Sequence, residues 1–273
     1  MQHQHYAALF YVGDKGVLLF DAPEGGGEAV LKAVAAVTKL PITALVLSHD
    51  HADHVADARV IVDAAAKTKT KLRIIASRAT ADKMVRLGSQ LPKPTETVTW
   101  PQGSFKFEGL TVDLHGLVHA AHTDDHSAWL LRGEKIVHIP DHINPDQPPF
   151  WAWAGSENFT NFESNLEEVA KLEWVYLSGG HGNVGSRADV DFYRTFIGDM
   201  KQAVGKALSE VKFGDGVDVT KINSHTPFLT AYVANVAKKA TDSLRPKYGR
   251  YYGFEYATPR NAEMVALSMF SYR

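Results

Sequence analysis

Apolar residues recur with two different periods in the first third of the chain, and each period predicts a different kind of element. Residues 7–12 and 17–20 are apolar runs around a Gly-Asp-Lys-Gly turn, which predicts a β-hairpin. Residues 28–40 place apolar side chains at helical spacing, which predicts an amphipathic helix. The short, nearly all-apolar runs 42–47 and 72–76 are typical of buried strands, and helical spacing follows each of them.

The middle of the chain changes to the alternation typical of antiparallel strands. Residues 92–117 alternate in this way, and residues 127–131 and 135–139 flank an Arg-Gly-Glu turn as a second hairpin. Later segments with helical or strand-like spacing are 159–172, 174–177, 189–211 and 226–244. The last residues, 246–273, show no clear pattern. The mixture of βα units, hairpins and a helical tail predicts an α/β fold.

The composition is that of an ordinary globular protein without a strong net charge. The chain has 273 residues, of which 45% are hydrophobic and 22% charged, so it can bury a sizeable core. The net charge of -2 gives no reason to expect nucleic acid or a membrane as a partner, so we expect a small-molecule substrate. No apolar run approaches the length of a membrane span, and the first residues lack the features of a signal peptide. The compartment stays unknown.

Histidine is abundant and cysteine is absent. There are 13 His and no Cys, so any metal would have to be held by His, Asp and Glu. The segment His49-x-His51-x-Asp53-His54 directly follows the predicted strand 42–47. Imidazole and carboxylate suit Zn²⁺, Fe²⁺ and Mn²⁺. One metal ion usually takes fewer than four ligands from a single short loop. Two adjacent metal ions therefore explain the number of ligand-type side chains in this segment better than one ion does.

This segment resembles the HxHxDH signature of the metallo-β-lactamase superfamily. Three further segments resemble motifs of that family in the same chain order. They are His122-Thr123-x-x-His126-Ser127, Ile139-Pro140-Asp141 and Gly180-His181-Gly182. Asp21 resembles an early Asp that usually supports the metal loop. The resemblance covers roughly the first 190 residues and implies a four-layer αββα sandwich, with helices on both outer faces of two mixed sheets.

The resemblance also implies a ligand set and a mechanism. Two divalent ions, Zn²⁺ in the first place with Fe²⁺ or Mn²⁺ as alternatives, would be bound by His49, His51, Asp53, His54, His122, Asp141 and His181. Ions roughly 3.5–4 Å apart can share a bridging hydroxide that forms near neutral pH. Asp53 and Asp141 are the expected catalytic residues. Asp53 would orient the hydroxide and pass a proton to the leaving group, and Asp141 would bridge the ions and offset their charge.

Absent features narrow the expected class of hydrolase. β-Lactamases of this family mostly use Cys in the second metal site or lack the bridging Asp, so this Cys-free chain with Asp141 does not resemble a dedicated one. The loop Phe150-Trp151-Ala152-Trp153 is expected to wall an apolar pocket, which favours a lactone or carboxylic ester. Thioester or phosphodiester hydrolysis, weak β-lactamase activity and a mono-iron, persulfide dioxygenase-like oxygenase are the alternatives.

The motifs and the helical tail divide the chain unequally. We expect a catalytic domain over residues 1–200 and a C-terminal helical extension over 201–273, packed on the same domain. The apolar faces of the later helices are expected to be core or dimer interface, so a homodimer stays open.

Overall fold

Two sheets dominate the computed structural model, which describes residues 2–3, 6–221 and 224–269. A two-stranded ribbon, β1 (Gln2–His3) and β2 (Tyr6–Ala7), precedes them. The first sheet has the order β3-β4-β5-β6-β7. Its strands are β3 (Leu9–Val12), β4 (Val17–Phe20), β5 (Ile42–Leu47), β6 (Arg73–Ser77) and β7 (Glu96–Val98). Strand β3 is antiparallel to β4, and β4 to β7 are parallel.

The second sheet has six strands in the order β13-β12-β11-β10-β9-β8. They are β8 (Gln102–Phe107), β9 (Leu110–Gly116), β10 (Ser127–Leu131), β11 (Ile136–His138), β12 (Tyr176–Ser178) and β13 (Val184–Gly185). Strands β11 and β12 are parallel, and the other neighbours are antiparallel. Both sheets are therefore mixed.

Helices follow the strands on both outer faces. On the side of the first sheet they are α1 (Gly27–Val37), α2 (Ala52–Val55), α3 (Ala58–Lys67) and α4 (Arg78–Arg86). On the side of the second sheet they are α5 (Trp151–Gly155, a single turn), α6 (Phe162–Ala170), α7 (Arg187–Glu210), α8 (Thr226–Tyr248) and α9 (Phe254–Met269). None of the helices in the described part of the chain combines the length and the apolar character that a membrane crossing requires.

The side-chain alternation of the strands produces the layers. In β4, Leu18 and Phe20 belong to the core between the two sheets, whereas Val17 and Leu19 pack toward the helices of the first sheet. Successive side chains of a strand point to opposite faces, so a strand that is apolar on both faces must be covered on both. A third core joins the second sheet to α6, α7, α8 and α9. The four-layer αββα sandwich expected from the motifs is confirmed.

The C-terminal helices have the weakest helical pattern in the sequence. Pro246 and Pro259 lie inside α8 and α9, and Pro normally marks a break, which obscured the helical spacing beyond residue 246. The predicted boundary at residue 200 falls within α7, whose buried residues share one core with α8, α9 and the second sheet. The division into residues 1–200 and 201–273 stays a prediction, and residues 270–273 lie outside the described part.

Candidate metal centre

The predicted ligands come from four segments that meet at one end of the sandwich. The HxHxDH segment leaves β5, and its second half forms the helical turn α2. Asp141 and His181 follow the ends of the parallel strands β11 and β12, and His122 lies in the loop between β9 and β10. Carboxyl ends of neighbouring parallel strands lie at the same edge of a sheet, which explains why distant segments converge here.

A first group consists of His49, His51, His122 and Asp141, whose ligand atoms all lie within 4.8 Å of one another. His122 Nε2 is 3.2 Å from His49 Nε2 and 3.0 Å from His51 Nδ1. Asp141 Oδ2 is 3.5 Å from His49 Nε2 and 3.4 Å from His122 Nε2. Four donors around a zinc ion at about 2.0–2.1 Å form a tetrahedron with edges of about 3.3 Å. The spacing of this group therefore fits such an ion.

A second group consists of Asp53, His54, Asp141 and His181. Asp141 Oδ2 lies 2.8 Å from His54 Nε2, and Asp141 Oδ1 lies 2.8 Å from His181 Nε2. Asp53 Oδ2 is 3.4 Å from His54 Nε2 and 3.9 Å from His181 Nε2. The two groups share Asp141. The structure thus brings all seven predicted ligands into two adjoining clusters, each of which could hold a metal ion.

The pKa values of these side chains respond to burial and to Asp141. Burial, together with His49, lowers the pKa of His51 to about 4. Burial also holds the pKa of His122 well below its ordinary value. For His54, burial opposes protonation, but the carboxylate of Asp141 outweighs it and raises the pKa to about 9. Neutral imidazoles with free lone pairs are the form that binds a metal, so His51 and His122 are ready to act as ligands.

Asp141 itself is held as an anion. Burial would favour its protonated form, but His54 and the hydrogen bonds from His181 and His49 keep its pKa well below the ordinary range. Its φ of 62° lies in the left-handed region, where strain is commonly found at functional sites. The neighbouring backbone is close-packed: a Cβ at Gly180 (φ 77°) would lie 2.8 Å from His54 Cε1. Only glycine fits there, next to His181.

Asp21 braces the start of the metal loop. It is buried, and its Oδ1 accepts a hydrogen bond of 2.9 Å from the backbone N–H of Ser48. Its Oδ2 lies 3.0 Å from His138 Nε2, and the other ring nitrogen of His138 lies 2.9 Å from Ser178 Oγ. This chain of contacts joins the first sheet to the second just below the ligands. It gives Asp21 the supporting contact to the metal loop that the resemblance implied.

His126 lies in the same motif as His122 but belongs to neither ligand group. It is fully buried, and its Nε2 lies 2.7 Å from the backbone oxygen of Pro140. This contact connects the loop of His122 to the strand end that carries Asp141. His122, rather than His126, lies among the ligands.

Aromatic side chains surround His181, and sequence reasoning identified only part of them. The ring of Tyr6 lies 4.7 Å from that of His181. The ring of Phe150 stacks on the His181 ring at 5.4 Å with an interplanar angle of 11°. Phe150 is 45% exposed and Trp151 53% exposed, so both can meet a bound molecule. Trp153, by contrast, is fully buried in the core of the second sheet. No sequence signal pointed to Tyr6, since it precedes all the motifs.

The aromatic loop has an unusual backbone. Ala152, Trp153 and Ala154 have φ values of 54°, 54° and 58°, so α5 is a left-handed turn. The loop after this turn reaches the first ligand group, because the Glu157 backbone N–H donates to the His122 backbone oxygen at 3.1 Å. The left-handed turn therefore connects Phe150, which precedes it, to a segment that contacts the loop of His122.

Comparison with known proteins agrees with the fold. Residues 3–188 match the family model described as the metallo-beta-lactamase superfamily. The structure is similar to a metallo-beta-lactamase from Pontibacter korlensis (16% identity, 71% of this chain and 87% of that chain, TM-score 0.58). It is also similar to one from Hirschia baltica (16% identity, 68% and 83%, TM-score 0.52) and to metallo-beta-lactamase IND-7 (15% identity, 71% and 86%, TM-score 0.58). At these identities the likeness concerns the fold alone. No curated protein matches the sequence.

Proposed function

Because the chain belongs to the metallo-beta-lactamase superfamily, whose members are generally metal-dependent hydrolases, we propose that it binds two divalent metal ions and cleaves a lactone or carboxylic ester. The observation that carries the proposal is the position of Asp141. Its Oδ2 faces His49, His54 and His122, and its Oδ1 faces His181. A single buried carboxylate in contact with both ligand groups could bind two adjacent ions at once, one through each group.

The two carboxylates of the centre differ in ways that assign them different roles. Two zinc ions bound here would supply a Lewis acid and a water molecule of lowered pKa. The Asp141 side chain is only 5% exposed and stays ionised, so it offsets positive charge and does not carry protons. The Asp53 side chain is 37% exposed and lies beside the same ligands. It can orient the attacking water, accept its proton and deliver a proton to the leaving oxygen, exchanging with solvent between turnovers.

The surroundings of the centre support a substrate with an apolar group. Tyr6 and Phe150 flank His181, and Trp151 lies exposed next to Phe150. The guanidinium of Arg260 lies 6.0 Å from the centre of the Trp151 ring and is paired with Glu263 at 2.6 Å, so its charge is offset. Aromatic walls with few unpaired charges suit a neutral ester or lactone better than a polyanion.

The first test compares three substrates on the zinc-loaded protein before and after chelation. We expect hydrolysis of an acylated homoserine lactone or a chromogenic carboxylic ester, and loss of this activity with the metal. A chromogenic β-lactam is expected to be a poor substrate. Turnover of the β-lactam alone would contradict the proposed substrate class. Bound iron with oxygen uptake on a persulfide, and no hydrolysis, would replace the proposal with the oxygenase alternative.

A second test addresses the ligand set. Asp141→Ala should lose both ions and should lose more activity than the roughly 10–100-fold that removal of an outer-shell partner costs. Asp191→Ala is the matched control, because Asp191 is an exposed carboxylate on α7 whose partner is Arg194. The control should keep two ions and full turnover. An Asp141→Ala protein that still binds two ions and turns over normally would refute the two-metal assignment.

A further inference from the structure

A buried ion pair lies behind the first ligand group, outside the ligand set. Lys83 on α4 is 8% exposed and Asp125 is 1% exposed, and Lys83 Nζ lies 3.1 Å from Asp125 Oδ1. The same ammonium group contacts Asp124 Oδ1 at 2.9 Å and donates a hydrogen bond to Thr123 Oγ1. A buried lysine is uncommon unless it is paired, so this arrangement calls for an explanation.

The pair reaches both loops that carry the first group. Asp125 Oδ2 accepts a hydrogen bond of 2.7 Å from the backbone N–H of Asp50, the residue between His49 and His51. Thr123, the other partner of Lys83, directly follows His122 in the chain. All three histidines of the first group are therefore adjacent in sequence to a residue that this network holds.

The second ligand group has a different environment. The side chains of Asp53, His54 and His181 contact one another, Asp141, Asp21 and the rings of Tyr6, Phe150 and His49. Among the described residues, no hydrogen bond or ion pair joins these three side chains directly to Lys83 or Asp125. A network that contacts only one of two adjoining groups is expected to affect that group most, because coupling between residues falls off where they share no partner.

From this geometry we propose that Lys83 and Asp125 are positioning residues that hold the three histidines of the first group in the geometry needed for metal binding. This inference rests on the proposed two-metal centre. Removing one partner of a buried pair leaves the other charge uncompensated, so the loops are expected to shift until water reaches that charge. Outer-shell partners that orient ligands typically contribute 10–100-fold to metal affinity.

The test measures zinc affinity at each group separately. In a His181→Ala background only the first group is complete, and Lys83→Met should there weaken zinc binding by about 10–100-fold. In a His51→Ala background only the second group is complete, and Lys83→Met should weaken zinc binding far less there than at the first group. Arg86→Met is the matched control on the same helix, because it removes the exposed pair of Arg86 with Asp124 and leaves the buried pair intact. It should alter neither affinity.

A combined variant, Lys83→Met with Asp125→Leu, separates a loss of zinc affinity from a loss of folding. Replacing both charges with apolar side chains often restores stability, but it does not restore the hydrogen bond to the Asp50 backbone. Zinc binding at the first group should therefore stay weak in a protein that melts like the parent. Unchanged affinity at the first group, or equal weakening at both groups, would overturn the inference. If the parent protein binds fewer than two ions, the proposed function itself fails, which is a distinct outcome.

Discussion

Replacing Asn261 with Ala is expected to loosen the loop that carries Phe150 without removing a metal ligand. Asn261 lies on α9 and is fully buried. Its Oδ1 accepts a hydrogen bond of 2.8 Å from the Trp153 backbone N–H, and its Nδ2 donates one of 2.7 Å to the Pro149 backbone oxygen. These two bonds hold the middle of the left-handed turn and the residue before Phe150.

The size of the effect follows from two opposing costs. Each buried backbone group left without a partner costs about 1–3 kcal/mol, so a rigid loop would lose about 2–6 kcal/mol. Each non-glycine residue in the left-handed region costs about 1–2 kcal/mol, so the turn of Ala152, Trp153 and Ala154 stores about 3–6 kcal/mol of strain. Because the two amounts are comparable, the freed turn should relax. Relaxation returns part of the strain, so we expect a net loss of about 1–3 kcal/mol.

Urea unfolding and steady-state kinetics together check this prediction. KM for a substrate with a long acyl chain should rise, while kcat and the number of bound metal ions should change little, because the ligands stay in place. Asn235→Ala is the matched control, since Asn235 on α8 is half-buried and donates one solvent-exposed hydrogen bond of 3.0 Å to the Asp215 backbone oxygen. If Asn261→Ala is as stable as this control and has the parent KM, the contact does not hold the loop and the reasoning is refuted.

The remaining predictions concern strain, pH and the aromatic wall. Ala152→Gly should change the unfolding free energy by less than about 1 kcal/mol, because relief of strain offsets the lost methyl group. Ala240→Gly, at a position that is also buried but lies within α8, should lower the unfolding free energy by about 2 kcal/mol. Equal losses would show that the turn is unstrained. Burial lowers the pKa of His142 from 6.5 to about 3, so the unfolded chain binds a proton that the folded protein excludes, and stability falls as pH drops from about 6.5 toward 3. In chelated protein, His142→Phe should make this dependence shallower by about 1.4 kcal/mol per pH unit, and an unchanged slope would contradict the assignment. Phe150→Ala should raise KM more for long acyl chains than for an acetyl ester, and equal effects would exclude an acyl contact.

Local pattern was sufficient for much of the ligand set. The spacing of His49, His51, Asp53 and His54 after a buried apolar strand is a property of one short segment, and the structure keeps these four residues together. The nearly all-apolar run of β5 likewise indicated a buried strand. Such features depend on neighbouring residues, so they can be recognised without knowledge of the rest of the chain.

Other features depended on residues that are distant in sequence. Trp151 and Trp153 have the same residue type two positions apart, yet one is exposed and the other is core, because the left-handed turn and Asn261 rotate the loop. No periodicity predicts a left-handed turn at three non-glycine residues, since it exists only where the surrounding structure compensates its strain. Tyr6 likewise reaches His181 only through the pairing of the N-terminal segment with the strand end.

The sequence by itself determined the donor types, the order of the ligand segments and the strands that precede most of them, because these follow from local chemistry and spacing. Only the tertiary structure decided that Lys83 and Asp125 lie behind one group and that α9 secures the aromatic loop. The reason is physical: a buried charge or a strained turn is stable only when partners from distant segments surround it, and those partners are chosen by packing rather than by spacing along the chain.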